Sequence, residues 1–191
     1  MIGILNYGAG NVKSVSNALQ RLGLEFTVDD SPLIFKKSSG IIIPGVGSAK
    51  QAMAQLEEKD LIKDLLSYQG KIMGICLGMQ IMGEWLEEGN VQGLGIFKTR
   101  VQRLKKGPRQ IHTGWNEVRQ GLSPAETFIP FGNCQYFVHG YAMEVNPYTV
   151  GIATYGEDFS AAIQYENYLG VQFHPEKSGD LGASILKNYF Q

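Results

Sequence analysis

A cysteine, a histidine and a glutamate set the chemical problem. Met73-Gly74-Ile75-Cys76-Leu77-Gly78-Met79-Gln80 has the form Gly-x-Cys-x-Gly. That is the cysteine counterpart of the elbow that lifts a serine nucleophile off a strand-to-helix turn. Small residues two positions either side keep side chains from colliding across the bend. The start of the following helix favours a thiolate through its dipole. Such a nucleophile needs a base held by a third group. His174 ends the apolar run Gly170-Val171-Gln172-Phe173 and opens His174-Pro175-Glu176. In extended chain, residues i and i+2 point the same way, so Glu176 can reach one imidazole nitrogen while the other faces sulfur. Pro175 stiffens the link and holds His174 out of helix. Acyl transfer also needs donors for a tetrahedral oxyanion. The N–H of Leu77 is one candidate, and the N–H of Val46 or Gly47 in Pro44-Gly45-Val46-Gly47 is the other. Each motif alone has a plainer reading: a buried structural cysteine, a strand-end histidine, a Pro-Gly turn. Together they specify thiol chemistry.

The elements around these motifs are short. Ile2–Leu5, Glu25–Val28, Gly40–Ile43 and Lys71–Ile75 read as strands. A helix carries Val12, Val15, Leu19 and Leu22 on one face and stops at Gly23. Further helices carry Ala49 to Leu56 and Leu61 to Leu66, and another is expected from Leu77 to about Glu87. Apolar strands separated by helices imply βαβ units around a parallel sheet. The second half changes character. Residues 101–104, 114–118, 136–141, 150–155, 159–165 and 169–173 read as strands, with a hairpin turn at Glu166-Asn167 and a closing helix from about Asp180 to Phe190. Gly107-Pro108 and Ser123-Pro124 mark surface loops within a single domain over residues 1–191.

Composition narrows the function classes. The 191 residues are 43% hydrophobic and 18% charged, with a formal net charge of −1. A nearly neutral chain gives no electrostatic case for nucleic acid or an anionic membrane. No apolar run approaches a membrane span, and the first residues read as a strand, not a signal peptide. Two cysteines, Cys76 and Cys134, are no disulfide framework, which points to a reducing, cytoplasmic compartment. Gly8-Ala9-Gly10-Asn11 lacks a full dinucleotide fingerprint. No metal-ligand cluster is visible, and the chemistry needs no cofactor. The stretch Lys98, Arg100, Arg103, Lys105, Lys106, Arg109 reads as a solvated hairpin, with steering of a partner as the rival idea. Cys134 and His112 read as mainly structural, with His112 near an interface.

Taken in order along the chain, PGVG at 44–47, GICLGMQ at 74–80, FVHGY at 137–141 and VQFHPE at 171–176 resemble the class I (triad) glutamine amidotransferases. The resemblance implies an α/β, flavodoxin-like three-layer fold: a central, mostly parallel sheet flanked by helices, with an added antiparallel segment in the second half. It implies that Cys76 attacks the side-chain amide of L-glutamine to form a γ-glutamyl thioester, that His174 acts as base and then acid, and that Glu176 orients it. Gly45, Gln80, Gly140 and Tyr141 match positions that hold glutamine. Within the class, Tyr7-Gly8-Ala9-Gly10-Asn11, His112-Thr113-Gly114-Trp115-Asn116-Glu117 and His174-Pro175-Glu176-Lys177-Ser178 are similar to the glutaminase subunits of imidazole glycerol phosphate synthases. That family docks as a heterodimer on a (β/α)₈-barrel cyclase subunit and passes it ammonia. Matching positions place Asn11, Trp115, Asn116, Tyr136, His139 and Lys177 toward the partner. The family's glutaminase is weak until the partner binds ligand, and one peptide flip in Pro44–Gly47 would complete the oxyanion hole. Gly140, where the family usually has serine or threonine, and Gln110-Ile111-His112-Thr113 depart from the pattern and leave a paralogous barrel partner open. Other readings are an anthranilate-type amidotransferase subunit, a catalytically silent module on the same fold, and a cysteine peptidase.

Overall fold

A computed structural model describes all residues from Met1 to Gln191. Its frame is a nine-stranded sheet in the order β2-β1-β3-β4-β13-β12-β11-β8-β9. The strands are β1 (Ile2–Leu5), β2 (Phe26–Asp29), β3 (Gly40–Ile43), β4 (Lys71–Ile75), β8 (His112–Gln120), β9 (Asn133–His139), β11 (Thr149–Thr154), β12 (Asp158–Tyr165) and β13 (Tyr168–Val171). From β2 to β13 the neighbours run parallel, and from β13 outward every pairing is antiparallel. The parallel order 2-1-3-4 followed by β13 is that of a flavodoxin-like sheet, which binds ligands beyond the carboxyl ends of its strands. A smaller sheet, in the order β10-β7-β5-β6, consists of β5 (Gly83–Leu86), β6 (Val91–Gln92), β7 (Phe97–Arg103) and β10 (Tyr141–Met143).

The parallel strands β1, β3, β4 and β13 are buried on both faces, unlike β2 at the edge, and their alternation divides the core. Ile4, Ile42, Met73 and Ile75 belong to one apolar cluster, whereas Leu5, Ile41, Ile43 and Ile72 belong to the other. The first cluster is covered by α1 (Val12–Arg21) through Val15, Ala18 and Leu19, and by α6 (Gly179–Phe190) through Ile185, Leu186 and Tyr189. The second is covered by α2 (Leu33–Lys37), α3 (Ala49–Glu58) and α4 (Ile62–Ser67). This is the expected three-layer α/β arrangement with its antiparallel extension. No helix is long and apolar enough to cross a membrane.

Three sequence expectations need correction. The helix expected from Leu77 to about Glu87 ends after one turn, α5 (Leu77–Gln80), and the chain turns into β5. The carbonyls of Ile81, Met82, Gly83 and Glu84 bond the amides of Leu94, Phe97, Gly95 and Gly93, so the helical ladder is replaced by sheet contacts. Gly83, a poor helix residue, sits at the change. The single strand expected over 136–141 is two strands in two sheets. It breaks at Gly140, whose carbonyl accepts from Leu104 N at 3.0 Å. The basic stretch is no hairpin: β7 pairs with β5 and β10, and the chain then leaves for β8 in the other sheet.

Candidate active site

β4 ends at Ile75, and the next residue carries the bend. Cys76 has φ 53° and ψ −109°, a conformation L-residues avoid. Such strain costs on the order of 1–3 kcal/mol and persists only where neighbours enforce it. Here the enforcement is visible. Cys76 N donates to Val171 O at 2.8 Å, and Cys76 O accepts from Gln80 N at 3.0 Å. A Cβ on Gly74 would come within 2.5 Å of Gly78 O, and one on Gly78 would collide with the Ile43 carbonyl. Gly45 is packed against Gly78 N and the Leu77 side chain, so β3 and the elbow touch backbone to backbone. The glycines therefore seat the cysteine turn on the neighbouring strand. Tyr7 adds a second tie, its hydroxyl donating to Pro44 O at 2.8 Å.

His174 follows β13. Its amide donates to Tyr136 O at 2.8 Å, and its carbonyl accepts from Ser178 Oγ at 2.7 Å. Pro175–Lys177 form a short 3₁₀ turn, not the extended link expected from the sequence. The turn still brings Glu176 Oε1 to 2.8 Å from His174 Nδ1, with both side chains almost fully buried. A carboxylate only accepts, so the proton is on Nδ1 and Nε2 is left facing the sulfur. Nε2 has no aligned hydrogen-bond partner, yet Cys76 is near enough to act on the ring. Burial pulls the His174 pKa down, but hydrogen bonding and charge from Cys76 and then Glu176 outweigh it and push it up to about 9. The thiol itself donates to Val138 O at 3.8 Å and accepts from Gln172 Nε2 at 3.6 Å.

Sulfur opens onto a pocket of about 250 Å³ lined by Val46, Gly47, Cys76, Leu77, Gln80, Glu88, Val138, His139, Gly140 and Tyr141. That is below the roughly 300–1,000 Å³ of drug-sized sites and suits one amino acid. Val46, Gly47 and Leu77, the residues expected to donate to an oxyanion, line the pocket together. Gly47 has φ +106°, open only to glycine without strain. Leu77 is the first residue of α5 and has no helical acceptor for its N–H. Gln80, Gly140 and Tyr141 also line the pocket, whereas Gly45 lies beneath the elbow. At Gly140 a Cβ would come within 3.2 Å of Gln110 O, so the two departures from the family pattern face each other.

The expected partner-facing residues separate into two groups. Trp115 is 58% exposed, and its ring stands 6.0 Å from that of half-buried Tyr136. Lys177 Nζ lies 5.9 Å over the same Tyr136 ring. His139 is not on this surface. It is buried in the pocket wall, where it bonds His112 at 3.1 Å and Tyr141 O at 2.8 Å. Asn116 is also turned in, toward Thr154 O at 2.9 Å and His112 at 3.3 Å. Asn11 caps α1 by accepting from Ser14 N at 3.1 Å. Sequence reasoning missed Gln172, Val138 and Glu88. Gln172 alternates with buried Val171 and Phe173 in a fully apolar run, which was the available signal. Glu88 follows directly on the segment expected as helix to about Glu87, and its carboxylate accepts from Ala49 N at the start of α3.

A cysteine on a strained elbow, a buried histidine–glutamate pair and a small pocket thus meet on a flavodoxin-like sheet. The family model for glutamine amidotransferase class-I matches residues 3–191, and the chain belongs to that family. It is 43% identical over 194 residues to the imidazole glycerol phosphate synthase subunit HisH of Buchnera aphidicola, covering 100% of this chain and 98% of that one. It is 40% identical over 191 residues to the subunit of the same name from Yersinia pseudotuberculosis, covering 98% and 97%. Among solved structures, PurLQS from Thermotoga maritima superposes with a TM-score of 0.73 at 20% identity, covering 100% of this chain and 98% of that chain. At that identity the likeness concerns the fold.

Proposed function

We propose that the chain is the glutaminase subunit of an imidazole glycerol phosphate synthase: it hydrolyses L-glutamine to glutamate and ammonia and delivers the ammonia to a (β/α)₈-barrel cyclase subunit in histidine biosynthesis. The observation that carries the chemistry is Cys76, held at positive φ at the pocket floor with the buried His174–Glu176 pair beside it. His174 holds the thiol proton before attack, as its raised pKa requires, and Cys76 Sγ attacks the side-chain amide carbon as a thiolate. The carbonyl oxygen becomes an oxyanion that the N–H groups of Leu77 and of Val46 or Gly47 receive. His174 returns the proton to the departing nitrogen, and its raised pKa keeps that proton on the ring until then. Ammonia leaves. Water, deprotonated by His174, cleaves the thioester and frees glutamate. Gly45, Gln80, Gly140 and Tyr141 shape and line the glutamine site.

Support for the barrel partner comes from the relatives' names and from the exposed Trp115, with Tyr136 and Lys177 beside it, and the resemblance adds Asn11. Large exposed aromatics are the usual anchors of an interface. The heterodimer, a single domain over residues 1–191 and a cytoplasmic location belong to the same reading. The nine-stranded sheet shared by both cores supports the first of the last two, and the free, exposed Cys134 the second. The test is glutamate release with and without the cyclase barrel and its ribonucleotide ligand, beside Cys76→Ala and Trp115→Ala. Stimulation by barrel and ligand together is expected. Cys76→Ala abolishes all release, and Trp115→Ala lowers only the stimulated rate. Release that depends on Cys76 but ignores this barrel would move the partner to a paralogue.

A further inference from the structure

The sulfur of Cys76 is the end of a hydrogen-bond chain that crosses the pocket wall. Gln172 is fully buried, and its Nε2 donates to Cys76 Sγ at 3.6 Å. Its Oε1 accepts from Gln80 Nε2 at 3.0 Å, and the same Nε2 donates to Tyr141 O at 2.8 Å. A carbonyl only accepts, so Tyr141 O fixes which end of the Gln80 amide is nitrogen. Gln80 in turn fixes Gln172, and an N–H faces the sulfur. Tyr141 O has a second donor, His139 Nδ1 at 2.8 Å. With that proton on Nδ1, His139 Nε2 accepts from His112 Nδ1 at 3.1 Å, and His112 Nε2 accepts from Asn116 Nδ2 at 3.3 Å. Gln80 Nε2 serves both Gln172 Oε1 and Tyr141 O, Asn116 Nδ2 serves both His112 Nε2 and Thr154 O, and reversing a link would set donor against donor or acceptor against acceptor.

We propose that Gln172 is the positioning residue for the nucleophile: its amide N–H holds the Cys76 sulfur toward the pocket, and the His112–His139 pair fixes the direction of that amide through Tyr141 O and Gln80. The proposal deepens the glutaminase reading and rests on it for the identity of the electrophile. Hydrogen bonds to a charged acceptor are stronger than neutral ones, so the N–H contact stabilises the sulfur most once it has lost its proton. Val138 O, which also contacts the sulfur, favours the thiol form. Gln172 opposes that carbonyl and works with His174. The chain also runs from the nucleophile to β8, the strand that carries Trp115.

The test reads the sulfur without needing glutamine. The full chain and its Gln172→Glu and Gln172→Met variants are alkylated with iodoacetamide from pH 5 to 10, beside glutamate release and thermal melts. Gln172→Glu keeps the acceptor for Gln80 and replaces the donor with an anion. It moves the half-maximal alkylation pH up by about one unit, slows alkylation near neutrality about tenfold, and lowers kcat with little change in KM. Gln172→Met moves both in the same direction by less. In the unsubstituted protein, the side-chain amide ¹⁵N signal of Gln172 shifts when Cys76→Ala removes the sulfur. A folded Gln172→Met whose alkylation profile superposes on that of the parent overturns the proposal. So does an amide signal that ignores Cys76→Ala. Absence of glutamate release even with the cyclase barrel and its ribonucleotide ligand present, beside the expected alkylation profiles, would instead overturn the glutaminase reading.

Discussion

Two buried histidines lie on different elements, His139 in the wall of the pocket and His174 beside the cysteine, and burial alone treats them alike. Their partners do not. On the turn after β13, His174 faces a carboxylate and a sulfur, and its pKa is pushed up to about 9. On the β8–β9 hairpin, burial lowers the pKa of His139. The Tyr141 carbonyl opposes this, the charges of His112 and His174 add to it, and the result is about 3. Burial also brings His112 down to about 4. One wall therefore carries a proton through the working pH range, and the other is neutral throughout. The difference teaches that depth sets the cost of a charge, while the partner decides whether the charge is kept. It also divides the labour: a wall that moves protons, and a wall whose fixed donors hold the geometry.

The sharpest way to break this contrast is to remove the charge that sustains it. Glu176→Gln keeps the shape of the turn but no longer fixes the tautomer or stabilises the imidazolium. The comparable change in a serine protease triad costs about 10⁴ in kcat, and a loss of that order is expected in glutamate release with KM little changed. A loss under tenfold would mean that Glu176 is not the orienting group. A smaller effect is expected on the neutral wall. His139→Phe suits the surrounding Phe137 and Phe159 rings but leaves His112 Nδ1 without its acceptor. Stability should fall by about 1–3 kcal/mol, the cost of one unsatisfied buried donor, as read by urea unfolding. The kcat should drop far less than for Glu176→Gln. Equal losses of activity would erase the division between the walls.

The smallest effect is on stability against pH, and the two walls give it opposite signs. His174 has a raised folded pKa, so its contribution is complete below its unfolded value near 6.5 and is lost as pH rises toward 9. His112 and His139 have lowered folded pKa values. The unfolded chain binds their protons first, so stability is lost as pH falls from about 6.5 toward 4 and 3. Thermal melts should therefore be highest between these limbs. His139→Phe should flatten the acid limb and leave the alkaline one. An acid limb unchanged in that variant would assign it to other groups.

Much of this site was legible in the sequence because its signals are local. The glycines of the elbow, the alternating apolar strands and the His-Pro-Glu turn are each set within a few residues. What was missed depends on distant contacts. The helix after Cys76 was overextended because sheet partners at residues 93–97 capture its carbonyls. His139 was expected at the partner surface, but on β9 it falls in register with Gln135 and Phe137, which point inward. That alternation was readable. The link from Gln172 to Gln80 was not, since it joins residues 92 positions apart.

The most direct test is NMR titration of the imidazoles, since the chain has only 3 histidines and all belong to these two walls. The account predicts one ring that holds its proton to about pH 9, with that value falling in Cys76→Ala, and two rings that stay neutral to about pH 4 and 3. His174 titrating below neutrality, or His139 titrating near 6.5, would contradict it.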